Sequence, residues 1–378
     1  MQPVPARAAS ARFYRPELDV LRFFAFMLVF FAHAQLNPKS FASLNRFGIT
    51  SGFISGIADV GSLGVFVFFM LSAYLITELL LREKRTTETI HLRSYWLRRI
   101  LRIWPLYFLF VGFAVLFGLW DPHFHIPSNQ LLAMSFLWGN WYFALYGWGH
   151  TFVSQLWSIS VEEQFYLVWP LILKLGNIRI LRSACAALIV MGGISAYLLA
   201  SQGKSANPYV WTNSFVLFQL FAIGGIAALW ARGRAPRMHW TVRGLLLLIG
   251  LALFIVSITA FGIHDLGPVD PAKLVLAYAS VDIGCMAIFF SFLGAGIASW
   301  ASFFVYLGKI SYGLYVFHLI SFDLTAWLLE LFHLVHFPLR LPLSLTLTIG
   351  FASISYRFIE SPFLRLKEKF AVIQSRHV

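Results

Sequence analysis

The sequence predicts an all-α fold: a polytopic transmembrane helical bundle of about ten spans with both termini in the cytoplasm. Of its 378 residues, 59% are hydrophobic and only 12% are charged. Apolar windows of membrane-spanning length recur along the whole chain, and the basic residues concentrate in alternate connecting segments. This composition excludes a soluble globular protein of two or three domains.

The spans are predicted from windows of about 20 mostly apolar residues, which cross a hydrocarbon core of about 30 Å. They fall near residues 18–36, 62–81, 100–120, 156–175, 181–201, 212–232, 242–262, 274–296, 302–323 and 341–360. The chain therefore divides into a cytoplasmic N-terminal segment (1–17), a transmembrane domain (18–362) and a cytoplasmic basic tail (363–378).

The net charge of +13 could indicate a nucleic-acid partner, but the placement of the charges favours a membrane topology. With the N-terminus inside, Arg22 lies in span one and 23 of the 29 Lys and Arg residues lie in inward segments. Five lie in outward loops: Lys39, Arg46, Lys204, Lys273 and Arg340. This asymmetry follows the positive-inside rule. The basic balance thus indicates orientation and contact with anionic lipid, with no nucleic acid implied.

The first span, Leu18–Ala34, has two incompatible interpretations. A basic leader, an apolar run and the Ala-His-Ala sequence at 32–34 resemble a secretory signal peptide with its cleavage site. Against cleavage, Glu17 and Asp19 are acids in a place where a simply basic leader is expected. We predict that the span is retained as a membrane helix.

Other features of the sequence are weaker. Cys185 and Cys285 lie inside predicted spans, which favours packing residues over a disulfide framework. The outward segment Asp121–Gln155 is rich in aromatic residues and is typical of an interfacial belt. Within it, His123 and His125 form an H-x-H pair without further spaced ligands, so no metal site is predicted.

Ionisable residues inside the membrane are functional candidates because a charge at mid-bilayer costs about 2.5–3.5 kcal/mol on insertion scales. At about 1.5 Å per residue, His33, Glu162 and His318 are expected at similar depths in the outer half. Arg22 is expected about 16 Å below His33, near the inner boundary. The other candidates are Arg98, Arg99, Arg102, Glu163, Tyr312 and Tyr315.

Arginines near the inner boundary and histidines in the outer half suit a donor such as coenzyme A. The arginines would hold its phosphates, and its pantetheine arm would reach outward. His33, oriented by Glu162, is a candidate general base for an acceptor hydroxyl. The chemistry indicated is acyl transfer from a thioester to an alcohol.

Each element also has a structural interpretation. The arginines at the start of span three could anchor it to lipid phosphates, and the Glu162–Glu163 pair could be purely structural. His318 could be a hydrogen-bonded interior histidine.

In sequence order, the motifs resemble membrane-bound acyltransferase family 3, of the O-antigen acetyltransferase type, over nearly the whole chain. The first helix carries Asp19 and the spacing Arg22-x10-His33 that is similar to that family. The remaining motifs are GVFVFFMLSAY, RRILRIWP, LWSISVEEQFYLVWP, SYGLYVFH and SYRFIESP.

The resemblance implies O-acylation, usually acetylation from acetyl-CoA, of an extracytoplasmic glycan or glycolipid such as lipopolysaccharide at the bacterial inner membrane. It implies a catalytic His33 and essential arginines, and it favours Glu162 over Glu163. The catalytic candidates are His33, Glu162 and His318. The donor-binding candidates are Arg22, Arg98, Arg99 and Arg102. The substrate-binding candidates are Asp19, Ser72, Tyr74, Trp157, Ser158, Tyr312 and Tyr315.

The chain also departs from the family pattern. Ala73 replaces a common glycine, and Val20 and Phe23 replace small residues near Arg22. Whether the transferred acyl group is acetyl or a longer group therefore stays open. Many relatives continue into an extracytoplasmic hydrolase-like domain, which is not expected here. The membrane domain then completes the transfer itself or passes the acyl group to a separate protein.

Two other functions remain open. A secondary transporter could use His33, Glu162 and His318 as a proton relay, although the chain lacks the internal repeat typical of such transporters. A macrolide or other small-molecule acyltransferase would use the same scaffold and differ only in its acceptor.

Overall fold

The structure, a computed structural model, describes residues 13–34, 56, 59–149, 151–205, 208–264, 267–297, 301–333 and 337–373. All regular structure in these ranges is helical, as predicted. The long helices are α1 (Pro16–His33), α2 (Gly64–Thr87), α3 (Leu92–Trp120), α6 (Trp157–Leu175), α7 (Ile178–Ser201), α8 (Ser214–Ala231), α9 (Trp240–Thr259), α10 (Pro271–Phe292), α12 (Ser311–Leu331) and α13 (Phe337–Ser355). The short helices are α4 (Ser128–Ser135), α5 (Gly139–Tyr146), α11 (Ser302–Lys309) and α14 (Ser361–Glu368).

Each predicted span overlaps one of the long helices. Within the described part of the chain, seven helices are long and apolar enough to cross a membrane: α2 with the turn before it, α3, α7, α8, α9, α10 and α12. Helices α1 and α6 each carry three charged residues, which lowers their apolar character. The protein is therefore a multi-pass membrane protein, while ten crossings and cytoplasmic termini stay predictions.

The prediction of one continuous span over 302–323 is wrong, because the helix breaks at Ile310 between α11 and α12. Helix α11 packs closely on α1. At Gly308 a Cβ atom would overlap the carbonyl of Asp19, so only glycine permits this approach. After the break, α12 runs on to Leu331.

Helix α1 is enclosed by α2, α11 and α12. Its side chains Leu18, Phe26 and Phe30 are almost fully buried. Gly61 and Gly64 bring the start of α2 so close to α1 that a Cβ at either position would overlap a backbone carbonyl of α1. The first predicted span is thus an integral part of the bundle in its packing.

The centre of the bundle is formed by α8, which packs on α2 and α7. Cys185 and Cys285 are both free and buried, which confirms that they pack in the interior. The segment predicted as an aromatic belt contains α4 and α5, with exposed side chains such as Trp138 and Tyr146.

Candidate functional site

Two cavities lie in the bundle and divide the predicted site residues between them. The first, here called the arginine cavity, has a volume of about 150 Å³. Its polar wall contains Asp19, Arg22, Ser72, Arg99, Arg102 and Glu162. The second, here called the histidine cavity, has a volume of about 630 Å³. Its polar wall contains His33, Asp59, Ser62, His123, His264, Asp323 and Arg340.

Three of the four arginines of the arginine cavity come from α1 and α3, and the fourth, Arg15, directly precedes α1. Arg22 lies one helical turn after Asp19 and donates from Nη1 to its Oδ1 at 2.7 Å. Arg99 and Arg102 are three residues apart and share one face of α3. The Arg99 guanidinium lies 5.1 Å from the centre of the Tyr166 ring. Four guanidinium groups around one small cavity favour an anionic ligand such as phosphate.

Arg98 faces away from this cavity, contrary to its predicted role in donor binding. Its Nη2 donates to Glu83 Oε2 at 3.1 Å, and its Nη1 donates to the carbonyl of Phe370 at 2.7 Å. It is absent from the lining of the arginine cavity. Adjacent residues on a helix point about 100° apart, so Arg98 and Arg99 have different partners. Arg98 instead joins α2, α3 and the segment after α14.

Glu162 is held from two sides in the arginine cavity. Ser72 Oγ donates to its Oε1 at 3.0 Å, and Tyr166 OH, one turn later on α6, donates to its Oε2 at 2.9 Å. The neighbouring Glu163 faces the other way and accepts from Trp104 Nε1 at 3.1 Å. The two acids therefore have separate surroundings, as expected for adjacent positions on a helix.

The predicted hydrogen-bonded pair of His33 and Glu162 is wrong. His33 lines the histidine cavity, whereas Glu162 lines the arginine cavity. His33 Nδ1 bonds to the carbonyl of Val29 at 2.9 Å, and both carboxylate oxygens of Glu162 have other donors. The estimated depths along the helices were compatible with a pair, but the rotation of α6 places Glu162 in the arginine cavity, where it bonds to Ser72 of α2.

The partner of His33 is His318, at a distance of 5.0 Å between ring centres. His318 Nδ1 lies 2.6 Å from the carbonyl of Tyr315. Because a carbonyl can only accept, the Nδ1 atom of each histidine carries the proton, and Nε2 of the neutral ring keeps its lone pair. His33 is exposed to the histidine cavity, while His318 is fully buried behind it. His33 is thus the histidine that a ligand in the cavity can reach.

Tyr315 and Val65 line both cavities and form the boundary between them. The Tyr315 hydroxyl lies 2.7 Å from Ser158 Oγ and donates to the carbonyl of Gln155 at 2.8 Å. Gln155 in turn donates from Nε2 to the carbonyl of Val316 at 2.8 Å. One hydrogen-bonded tyrosine side chain therefore stands between the arginine side and the histidine side.

The remaining predicted residues take different positions. Tyr312 lines the arginine cavity, and its hydroxyl donates to the carbonyl of Ile103 at 2.8 Å. Trp157 lines the histidine cavity. Tyr74 is fully buried against Phe289 and lines neither cavity, so its predicted role in substrate binding is not supported by its place.

Several lining residues are absent from the sequence prediction. Tyr166 could have been found from its i+4 spacing to Glu162 on a helix. Gln155 and His264 lie in connecting segments, where no periodic pattern marks them. His123, interpreted as a loop residue, lines the histidine cavity. Among the described residues, no three histidine, cysteine or acidic side chains are grouped to hold a metal ion.

The fold and the two cavities define a class: a multi-pass helical membrane protein in which a cationic cavity and a histidine cavity meet at two shared side chains. A family profile described as an acyltransferase domain matches residues 15–357. The chain belongs to this acyltransferase family, which confirms the resemblance inferred from its motifs.

The chain is also similar to several bacterial proteins. A Staphylococcus aureus protein, provisionally named an O-acetyltransferase, is 30% identical over 93% of this chain. The peptidoglycan O-acetyltransferase OatA of Listeria monocytogenes is 26% identical over 93% of this chain. The chain spans only 57% and 56% of the length of these two relatives. No solved structure matches the chain significantly.

Proposed function

We propose that this protein is an O-acyltransferase, most simply an O-acetyltransferase, that moves an acyl group from cytoplasmic acyl-CoA to a hydroxyl of an extracytoplasmic glycan or glycolipid. The observation that carries the proposal is the shared boundary at Tyr315, with arginines on one side and His33 on the other. The names of the relatives support O-acetyl transfer to a cell-envelope polysaccharide. The proposed location is the bacterial cytoplasmic membrane, with both termini inside.

The donor enters the arginine cavity. Arg22, Arg99 and Arg102 bind its phosphates, because guanidinium groups keep their charge and match phosphate geometry. The cavity volume of about 150 Å³ is below the roughly 300–1,000 Å³ typical of ligand pockets. Donor binding therefore widens this cavity, and the thioester end reaches the boundary at Tyr315.

The acceptor occupies the histidine cavity. Its wall combines the aromatic rings of Trp148, Trp157 and Trp211 with the carboxylates of Asp59 and Asp323. A sugar presents apolar C–H faces that pack on aromatic rings and hydroxyl groups that donate to carboxylates. This lining supports a carbohydrate acceptor, with peptidoglycan and lipopolysaccharide as the candidates to compare.

His33 acts as the general base. As an acceptor hydroxyl attacks the acyl carbonyl, its proton moves to Nε2 of His33, and the bond between the acyl carbon and its leaving group breaks. The Val29 carbonyl keeps the His33 proton on Nδ1, which leaves Nε2 available. Across the whole reaction, coenzyme A leaves with a thiol on the arginine side.

The test is the variant His33→Ala in the full-length protein, with envelope O-acetyl esters quantified by mass spectrometry in cells that lack the native gene. We expect His33→Ala to lose the esters at an unchanged protein level. His125→Ala is the matched control, since His125 is exposed and lines neither cavity. Unchanged acetylation in His33→Ala cells would refute the proposal, as would solute transport by proteoliposomes without acyl-CoA. The same spectra report whether the glycan itself or a separate carrier protein receives the group.

A further inference from the structure

A second pair of reactive side chains lines the histidine cavity. Ser62 Oγ and His264 Nε2 are in hydrogen-bonding contact, and both residues face the cavity. The His264 ring packs on Trp211, with 4.7 Å between ring centres. A serine that contacts a histidine held by a third group has the arrangement of an activated nucleophile.

The packing of α1 and α2 brings Ser62 and His33 to the same cavity. Ser62 lies between Gly61 and Gly64, the two glycines at which the start of α2 touches α1. A Cβ at Gly61 would lie 3.1 Å from the backbone nitrogen of Ala32, the residue before His33. The close approach of the two helices therefore brings Ser62 next to the turn that carries the proposed general base.

When the ring proton of His264 is on Nδ1, its Nε2 is an acceptor, and the Ser62 hydroxyl then has two acceptors within reach. It lies 2.6 Å from the carbonyl of Asp59, and it also contacts His264 Nε2. A hydroxyl carries one proton, so rotation about its C–O bond moves that proton from the carbonyl to the imidazole. The second orientation leaves an Oγ lone pair free to attack a carbonyl carbon.

We propose that Ser62 is a nucleophile that carries the acyl group between donor and acceptor, with His264 as its base. This inference rests on the proposed acyl transfer and adds a covalent intermediate to it. It also gives separate roles to His33 and His264, two of the three histidines that line this cavity, because each half of the reaction then has its own base.

In the first step, Ser62 Oγ forms an ester bond with the acyl carbon and the thioester C–S bond breaks. The serine proton passes to His264 Nε2 and from there to the departing sulfur. In the second step, the acceptor oxygen bonds to the acyl carbon and the C–Oγ bond breaks. His33 takes the acceptor proton and returns it to Ser62 Oγ, so no atom or charge is left over.

The test uses the purified full chain in lipid nanodiscs with radiolabelled acetyl-CoA and no acceptor. We expect one acetyl group on the peptide that contains Ser62, identified by mass spectrometry after acid quenching. Ser62→Ala is expected to lose this label and to lower acetyl transfer about a hundredfold or more. Ser62→Cys is expected to carry the acetyl group as a thioester, which neutral hydroxylamine cleaves, whereas the serine ester survives that treatment.

The matched control is Ser135→Ala. Ser135 lines neither cavity, and its hydroxyl donates to the backbone carbonyl of Leu131 as that of Ser62 does to Asp59. Its removal should leave the label in place. Wild-type transfer rates in Ser62→Ala, or a label that persists in it, would overturn the role of Ser62 and leave the proposed function intact. Absence of any transfer by the wild-type protein would instead overturn the proposed function.

Discussion

Tyr315 shows how much of a site can depend on one side chain. Its ring belongs to the lining of both cavities, and its hydroxyl is held by Ser158 and Gln155. The sequence marks Tyr315 as a polar aromatic residue within an apolar span and as a candidate for substrate binding, but not as a boundary between two cavities. Its position at a boundary depends on where α6 and α12 face one another, which no single helix encodes.

The substitution Tyr315→Phe keeps the ring and removes both hydrogen bonds. We expect acetyl transfer to fall roughly tenfold, equivalent to about 1.4 kcal/mol. Release of coenzyme A without acceptor should rise, because a less restrained ring admits water to the thioester. A thiol-reactive dye measures this release. Tyr278→Phe is the control, since the buried Tyr278 hydroxyl has no hydrogen-bond partner among the described residues. If Tyr315→Phe releases no more coenzyme A without acceptor than the wild-type protein does, the role of Tyr315 as a boundary is contradicted.

The donor site can be tested by comparing alanine variants of two adjacent residues, Arg99, which lines the arginine cavity, and Arg98, which does not. Arg99→Ala removes a cation from the arginine cavity, so we expect the KM for acetyl-CoA to rise about tenfold with a smaller change in kcat. Arg98→Ala breaks the contacts with Glu83 and Phe370 and should lower the melting temperature without changing that KM. Equal KM increases in both variants would show that Arg99 has no specific role.

The sequence allows most of the site residues to be predicted, but not their arrangement in space. Charge inside apolar windows identified Arg22, His33 and Glu162, because burial of charge in a membrane is costly. The helical rise also gave workable depths. The rotation of each helix about its own axis depends on tertiary packing, so the sequence did not reveal that Glu162 lies apart from His33 or that Arg98 lines neither cavity.

Whole helices follow the sequence more closely than the site does. Each apolar window of spanning length overlaps a long helix, because the length of such a window is a local property. The break between α11 and α12 was missed, since residues 302–323 read as one continuous apolar run. The end of α11 coincides with a contact to a distant segment of the chain, in which Gly308 packs against the backbone of Asp19.

This contact gives a prediction at the scale of helices. Gly308→Ala places a methyl group against the Asp19 backbone, so we expect a lower melting temperature in detergent and a higher KM for acetyl-CoA through displacement of Arg22. Gly350→Ala is the control, because a Cβ at Gly350 of α13 would meet no atom within 4 Å and alanine favours helix over glycine by about 1 kcal/mol. Melting followed by fluorescence-detected size exclusion compares the two. A stable Gly308→Ala protein with wild-type KM would contradict the role of this contact.

At the scale of the whole molecule, the charge distribution predicts an orientation that can be measured. With cytoplasmic termini, Lys204 faces outward and Lys367 inward. In intact cells, a membrane-impermeant maleimide should label Lys204→Cys but not Lys367→Cys, while both react after lysis. The native cysteines are buried and should contribute little background. Labelling of Lys367→Cys in intact cells would invert the topology.

The retention of α1 is a separate prediction for the mature protein. Cleavage after Ala34 would remove Arg22 and His33 together and leave α2, α11 and α12 without a packing partner. We therefore expect intact-mass measurement of the purified protein to include α1. A mature chain that starts at Gln35 would end the proposed mechanism.

The boundary that Tyr315 and Val65 form between the cavities also constrains the electrical balance of the reaction. When an acyl group crosses at Tyr315, the sulfur left behind lacks one proton and the acceptor has released one on the opposite side. Unless a proton travels against the acyl group, each turnover separates charge across the bilayer. An inward proton would move with an inside-negative potential, gaining about 2.3 kcal/mol per 100 mV. The energised state of the membrane would then help drive modification of the cell surface.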